Sequence, residues 1–332
     1  MIHSSTRTAI IDLGTNTFNL LVIASSRPSP VEKERVTDQS PFYILHSSEF
    51  PVFLGRGGIE QGVITPDAFA RGIAALQAHV ATAQQLGAQR FVGFGTSMLR
   101  NARNAADFIS TARVQCGVEI SVIKGDEEAE LILEGVRLAV PLGAKPALVM
   151  DIGGGSIEFI LATNKALMWK RSFELGVTRL RERFSFSDPM TMQEQFRLAE
   201  HLDAQLEPLW SIIERHEPHE LIGSAGSFDS LAAMVSASKD VDIDAAATSL
   251  GFSALEFDAL KDRLMLMSRE ERLRVPGLPE HRVDTIAIAL IAIERVLLAG
   301  GIRDLRWSKY ALKEGAAAQL ISPPPPLQRR GK

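Results

Sequence analysis

Residues 9–21 read AIIDLGTNTFNLL, and residues 148–160 read LVMDIGGGSIEFI. Laid over each other at an offset of 139, they match Asp12 to Asp151, Gly14 to Gly153 and Thr17 to Ser156. Each copy is an apolar strand, an aspartate, a turn of small residues and a second strand. This pattern predicts two β-hairpins, each opening one of two related domains. Such a turn is suited to anions. Glycines let backbone N–H groups converge on phosphate oxygens, and Thr or Ser hydroxyls add donors. An Asp at the strand end can hold a cation that neutralises the phosphate. Either copy alone reads equally well as an ordinary glycine hairpin. The matched pair argues for a duplicated phosphate site.

Outward from these stretches, β-type and helical patterns alternate, which predicts an α/β protein. Strands are expected at 9–11 and 20–23 around the turn 12–17, and again at 147–150 and 158–161. Between them the pattern predicts a helix over 66–86 stopped by Gly87, a strand over 90–94 and a helix over 98–113. A strand over 118–123 and a helix over 127–140 follow. From Thr191 onward helices dominate, with one short strand at 220–222. The apolar run 285–302 is broken by Glu294 and Arg295 and reads as a buried helix rather than a membrane span. Residues 322–332, SPPPPLQRRGK, are expected to be a disordered end.

Composition narrows the function. The 332 residues hold 36 Lys+Arg against 40 Asp+Glu, a formal net charge of −4. A broad basic surface is excluded, so no nucleic-acid partner is expected, but one tight anion site is compatible with this balance. The length suits about two domains. Cys116 is the sole cysteine. It rules out an intrachain disulfide and a cysteine-cluster metal site, and it suits a reducing cytoplasm. Arg7 and Asp12 interrupt the early apolar stretch, so no secretory signal is read there. The chain lacks G-x-x-x-x-G-K-[ST], G-x-G-x-x-G and G-x-S-x-G, which argues against a P-loop, a dinucleotide-binding turn and a hydrolase elbow. In the string 216–220, HEPHE, the spacing and Pro218 are wrong for a zinc helix.

Two further turns suit an anion. Gly95-Thr96-Ser97 precedes the helix expected at 98, and Gly223-Ser224-Ala225-Gly226-Ser227 precedes a helix expected near Phe228. Both place N–H groups and hydroxyls at a helix N-terminus, although Ser97 and Ser227 read equally as plain caps. Arg100 and Arg103 lie within reach of the first turn, or on a solvated surface. The segment KGDEEAE, 124–130, opens a helix and offers a general base; helix capping by acids is the competing reading. Asp151 and Glu158 flank the second turn seven residues apart, a spacing that can bring two carboxylates to one Mg²⁺ across a hairpin. Asp12 could add a third from the opposite wall.

The combination of AIIDLGTNTFNLLV, GTSMLRNARN, GDEEAELILEGV, MDIGGGSIEFI, LIGSAGS and SKYALKEGA resembles the exopolyphosphatase/guanosine-pentaphosphatase family. The likeness runs in motif order from about residue 8 to 320 and is to the short two-domain form. It implies the two-domain α/β fold of actin-like and sugar-kinase-like ATPases (ribonuclease H-like, with a duplicated core). The expected domains are 1–124 and 125–302, with a C-terminal helix at about 303–320 packing back on the first. The resemblance assigns Glu128 as the water-activating base and Asp151 and Glu158 as metal-linked carboxylates. It assigns Asp12, Gly14, Thr15 and Asn16 to the first phosphate loop, and Gly153, Gly154, Gly155 and Ser156 to the second. Thr96, Ser97 and Arg100 match the segment contacting the terminal phosphates. It further implies Mg²⁺, inorganic polyphosphate or guanosine pentaphosphate as substrate, a homodimer, and a cytoplasmic enzyme without membrane association.

The chain departs from the family's usual pattern at Lys124, Ile157 and Arg56, none of which removes an expected carboxylate. The stretch 165–183 carries six basic residues and two acids, a local excess that guides a polyphosphate chain or faces solvent or a second subunit. A kinase of the same superfold and a non-catalytic phosphate-chain sensor are the readings of other classes. The glutamates argue against both.

Overall fold

The computed structural model describes residues 6–25 and 41–321. The disordered end expected at 322–332 lies outside the described residues. The first half contains β1 (Arg7–Leu13), β2 (Thr17–Ala24), β3 (Tyr43–Pro51), α1 (Pro66–Gln85), β4 (Arg90–Gly95), α2 (Ser97–Asn101), α3 (Ala105–Cys116) and β5 (Glu119–Val122). After α4 (Gly125–Ala139) come β6 (Ala147–Ile152), β7 (Ile157–Ala162), β8 (Leu167–Phe173), α5 (Val177–Phe184), α6 (Met192–Gln205), α7 (Glu207–His216), β9 (Leu221–Ser224) and α8 (Ala225–Ser238). The chain continues through β10 (Ser249–Ser253), α9 (Ala254–Met265), α10 (Arg269–Arg272), α11 (Ile286–Gly300), β11 (Asp304–Ser308) and α12 (Leu312–Ile321).

The duplication read from the hairpins extends to the sheets. The first sheet has the order β3-β2-β1-β4-β5; the second, read from the same end, has β8-β7-β6-β9-β11 with β10 added. In both, the three meander strands are antiparallel and the next two are parallel to the central one. This is the duplicated, two-sheet α/β arrangement expected.

Period-two alternation sets the layers. On β1, Ala9, Ile11 and Leu13 face α1 and α3, whereas Ile10 faces the opposite side. That inner side shares one core with α4, α12 and the inner face of the second sheet, through Ile132, Val136, Val149, Ile160 and Ala316. Gly135 and Gly315 allow α4 and α12 to cross closely: a Cβ on Gly315 would overlap Leu131 O, and one on Gly135 would overlap Ala311 O. The outer face of the second sheet, with Met150 and Phe159, packs under helices that include α6, α8, α9 and α11. α11 is the buried helix expected from the apolar run. Its Arg295 binds Asp203 through two hydrogen bonds of 2.8 and 2.9 Å, and its Glu294 pairs with Lys261. Among the described residues no helix is long and apolar enough to cross a membrane.

Several expected elements are corrected. The single helix at 98–113 is two, because Asn104 exchanges two 2.9 Å hydrogen bonds with the backbone of Ile64 and Arg103 N–H donates to Gly62 O. These bonds pull the chain out of helical geometry. The segment 304–308 is a strand, so only α12 is helical in the stretch expected as a helix at 303–320; α12 packs on α4 and on β1 and β2. Beyond Thr191 the described residues hold three strands rather than one. β10 and β11 owe their pairing to partners distant in sequence. β3 and β8, also unforeseen, are edge strands whose half-exposed residues lack a clean apolar alternation.

Candidate active site

The two hairpin turns are closed by the same bond. Gly14 N–H donates to Thr17 O at 3.0 Å, and Gly153 N–H donates to Ser156 O at 3.0 Å. Asp12 and Asp151 therefore stand at equivalent strand ends. The turns also meet across the cleft. Thr178 Oγ1 donates to Asn16 Oδ1 at 2.6 Å. A Cβ on Gly154 would lie 2.5 Å from that oxygen, and one on Gly155 would lie 2.6 Å from Thr15 Oγ1. The facing loop thus fills the space a side chain would need.

The second turn is oriented by α5. Gly153 O accepts from Val177 N–H at 3.0 Å, and Gly154 O accepts from Thr178 N–H at 2.9 Å. With the carbonyls engaged there, no backbone carbonyl among the described residues accepts the N–H groups of Gly154 or Gly155. The Thr15 hydroxyl is buried and has no partner among the described residues. These donors line the cleft with Ser156 and Asp12. Ser156 also hydrogen-bonds Glu158.

The acids of 126–130 separate by position on α4. Glu127 turns back to accept Lys124 N–H at 2.8 Å, which caps the helix. Glu130 pairs with Lys170. Glu128 is buried, only 6% exposed, and faces the cleft. Arg100 Nη1 donates to Glu128 Oε2 at 2.8 Å and to Ile123 O at 3.1 Å. Burial, and then the Glu158 charge, hold the Glu128 carboxyl well above the usual range despite Arg100.

Asp151 and Glu158 are direct cross-strand neighbours, so their side chains share one face. Ser224 donates to Asp151 at 2.8 Å, and Ser172 donates to Glu158 at 2.6 Å. Burial pushes each carboxyl up to about 8; Glu128 and Asp12 add to this at Asp151, and Asp151 adds to it at Glu158. Across the cleft, Asp12 faces Asn19, whose amide donates at 3.0 Å, and burial raises Asp12 to about 6. Buried carboxylates that repel one another are donors suited to a hard divalent cation. Among the described residues no three His, Cys, Asp or Glu side chains form a group that could hold an ion by themselves. The pair Asp151 and Glu158 is compatible in donor type with Mg²⁺, which takes one or two carboxylates and fills its shell with water and phosphate oxygens.

The remaining expected residues divide. Thr96 is buried where α2 begins and its hydroxyl reaches Leu13 O at 3.4 Å; Ser97 lines the cleft but donates to Glu174 at 2.7 Å. Gly226 lines the cleft inside the first turn of α8, which starts at Ala225 rather than near 228. The space a Cβ on Gly226 would take belongs to the Arg282 guanidinium. Gly223 lies in β9, where its missing Cβ admits the Phe228 ring; it is a packing position and does not line the cleft. Ser224 acts on Asp151 through its hydroxyl.

Sequence reasoning missed several groups. Glu174 collects Ser97, Arg100 and Arg179. Glu49 on β3 binds Arg282 at 3.0 Å and His281 at 3.0 Å. Lys313 lines the cleft; burial alone would lower its pKa, but Glu314, Asp229 and Asp12 outweigh that and raise it. Lys313 sits in a motif quoted above, so a cation there was readable. Nothing local marks Glu174 or Glu49. Four of the six basic residues of 165–183 stand in ion pairs: Lys170 with Glu130, Arg179 with Glu174, Arg181 with Asp284 and Arg183 with Glu60.

The model of the Ppx/GppA phosphatase family matches residues 34–322. Exopolyphosphatase 2 of Mycobacterium tuberculosis is 29% identical over 328 residues, covering 95% of this chain and 98% of that protein. Exopolyphosphatase 1 of the same organism is 26% identical over 313 residues, covering 93% and 86%. The crystal structure of an exopolyphosphatase from Cytophaga hutchinsonii superposes with a TM-score of 0.88 at 34% identity, over 95% of this chain and 98% of that one. The Ppx/GppA family member of Aquifex aeolicus, at 20% identity over 96% and 98% of the two chains, shares the fold with a TM-score of 0.74. With its paired hairpin turns and a family match over most of its length, the chain belongs to the Ppx/GppA phosphatase family.

Proposed function

We propose that this chain is an exopolyphosphatase, which removes the terminal phosphate of inorganic polyphosphate by Mg²⁺-dependent hydrolysis with Glu128 as the base. Membership of the family and relatives named exopolyphosphatase support phosphoanhydride hydrolysis. The observation that carries the mechanism is Glu128 itself: one buried carboxylate, held by Arg100, facing two opposed phosphate turns.

In this reading the ionised Glu128 takes a proton from a water in line with the terminal phosphate. The water oxygen bonds to phosphorus as the bond from phosphorus to the bridging oxygen breaks, and that electron pair leaves on the shortened chain. The Thr15 hydroxyl and the N–H groups of Gly154 and Gly155 donate to the phosphate oxygens where charge develops. A raised pKa makes Glu128 a stronger base once it is ionised. Asp151 and Glu158 would hold Mg²⁺, with Asp12 adding negative charge from the opposite wall; the ion would neutralise phosphate oxygens and favour the ionised carboxylates. Residues 1–124 and 125–302 would act as the two walls, with α12 between the sheets. A homodimer is part of the same proposal, to be checked by sedimentation.

Phosphate release from long polyphosphate, tripolyphosphate and guanosine pentaphosphate, each with and without Mg²⁺, tests the assignment. Metal-dependent release from polyphosphate is expected. Preference for guanosine pentaphosphate would move the substrate to the nucleotide, and release from none of the three would end the hydrolase reading.

A further inference from the structure

Glu174 stands just after β8, where the chain turns toward α5. Its Oε2 accepts Ser97 Oγ at 2.7 Å and Arg179 Nη2 at 2.7 Å, and Arg100 Nη2 reaches its Oε1 at 3.3 Å. The donors come from both sides of the cleft: Ser97 and Arg100 from α2, Arg179 from α5. A hydroxyl and two guanidinium groups around two anionic oxygens is the chemistry that also recognises a phosphate group. Ser97 belongs to the cleft wall, since a Cβ on Gly155 would lie 2.8 Å from Ser97 Cβ. Arg100 is shared, because its other nitrogen holds Glu128 at 2.8 Å. Burial alone would raise the Glu174 pKa, but the hydrogen bonds from Ser97 and Asn101 and the two arginines outweigh it, so the group is an anion at neutral pH.

We propose that Glu174 is a specificity-determining residue, a built-in anion that occupies Ser97, Arg100 and Arg179 and so sets the charge an incoming anion needs to enter the cleft. It opposes weakly charged anions such as released monophosphate. It yields to a polyphosphate end, whose several charges compete for the same donors. The proposal rests on the phosphate-cleft reading above and adds a residue outside the expected site.

The test compares wild type, Glu174→Gln and Glu174→Asp in tripolyphosphate hydrolysis, in inhibition by inorganic phosphate, and in calorimetric binding of inorganic phosphate. In Glu174→Gln, phosphate should bind and inhibit about tenfold more strongly, and KM should fall by more than kcat changes. Glu174→Asp keeps the charge and should stay close to wild type. Unchanged or weaker phosphate binding by Glu174→Gln, or a rise in KM at an unaltered melting temperature, would overturn the proposal. A wild type that releases no phosphate contradicts the hydrolase reading instead. The calorimetric arm needs no turnover and still decides the role of Glu174.

Discussion

The two hairpins share a turn and differ at one rung. Each has an Asp seven residues before its cross-strand neighbour, but Asp12 faces Asn19, whereas Asp151 faces Glu158. Burial raises the carboxyls on both walls; the Asn19 amide lowers Asp12, whereas the Asp151 charge adds to the rise at Glu158. Asp12 is raised to about 6, while the paired acids of the second hairpin are both raised to about 8. The turns differ in the complementary way. Among the described residues, the first supplies a Thr15 hydroxyl without a partner, and the second has glycines whose N–H groups no backbone carbonyl accepts. Two matching frames thus carry different charge: the second pairs two carboxylates where the first pairs a carboxylate with an amide.

The comparison can be broken most forcefully at its unequal rung. Glu158→Gln should lower kcat/KM for tripolyphosphate by about 100-fold or more and raise the Mg²⁺ needed for half-maximal rate. The equivalent change in the first hairpin, Asn19→Ala, should lower it by only about threefold, because one hydrogen bond to Asp12 is lost. Equal losses in steady-state assays would show that the two walls are not specialised. Next in size is the contact between the turns. Gly155→Ala drives a methyl into Thr15 and Ser97, whereas the nearest atom to a Cβ on Gly153 is Ser156 O at 3.2 Å. The first should cost about tenfold in kcat/KM and the second clearly less. A larger loss at Gly153 would mean that the turns part during catalysis.

A smaller effect concerns pH. Asp12, Asp151 and Glu158 have folded-state pKa values raised above 3.8, 3.8 and 4.5. Between those values and about 8 these three groups hold more protons in the folded protein than in the unfolded chain, so the stability they contribute falls as pH rises through this window. Metal-free protein should melt at a lower temperature at pH 8 than at pH 5, and added Mg²⁺ should raise the melting temperature more at pH 8. Calorimetric scans showing the opposite trend would place the charges of these acids elsewhere than in the cleft.

Much of the frame was legible because it is local. The repeat 12/151, 14/153, 17/156 marks positions whose geometry depends on a few neighbouring residues, and the matching turn bonds bear this out. The choice of Glu128 among adjacent acids was not readable from the residues alone. It depends on which side of α4 faces the cleft, and only the resemblance singled it out. Ser172 and Glu174 lie on or beside an edge strand without clear alternation, and their partners are distant in sequence. At Gly223 the missing Cβ makes room for the Phe228 ring, a reason for glycine before a helix that the sequence does not separate from anion binding. The helix at 98–113 failed for a similar reason. Asn104 is tied to Ile64, forty residues away, and no local propensity reports that bond.

The most direct measurement is phosphate release by Glu128→Gln from tripolyphosphate with Mg²⁺, set beside calorimetric binding of the same substrate. Expected is a fall in kcat of about 10³-fold with binding kept within about threefold of wild type, since the amide keeps the shape and loses the base. Release at the wild-type rate would contradict the assignment of Glu128 and with it the mechanism.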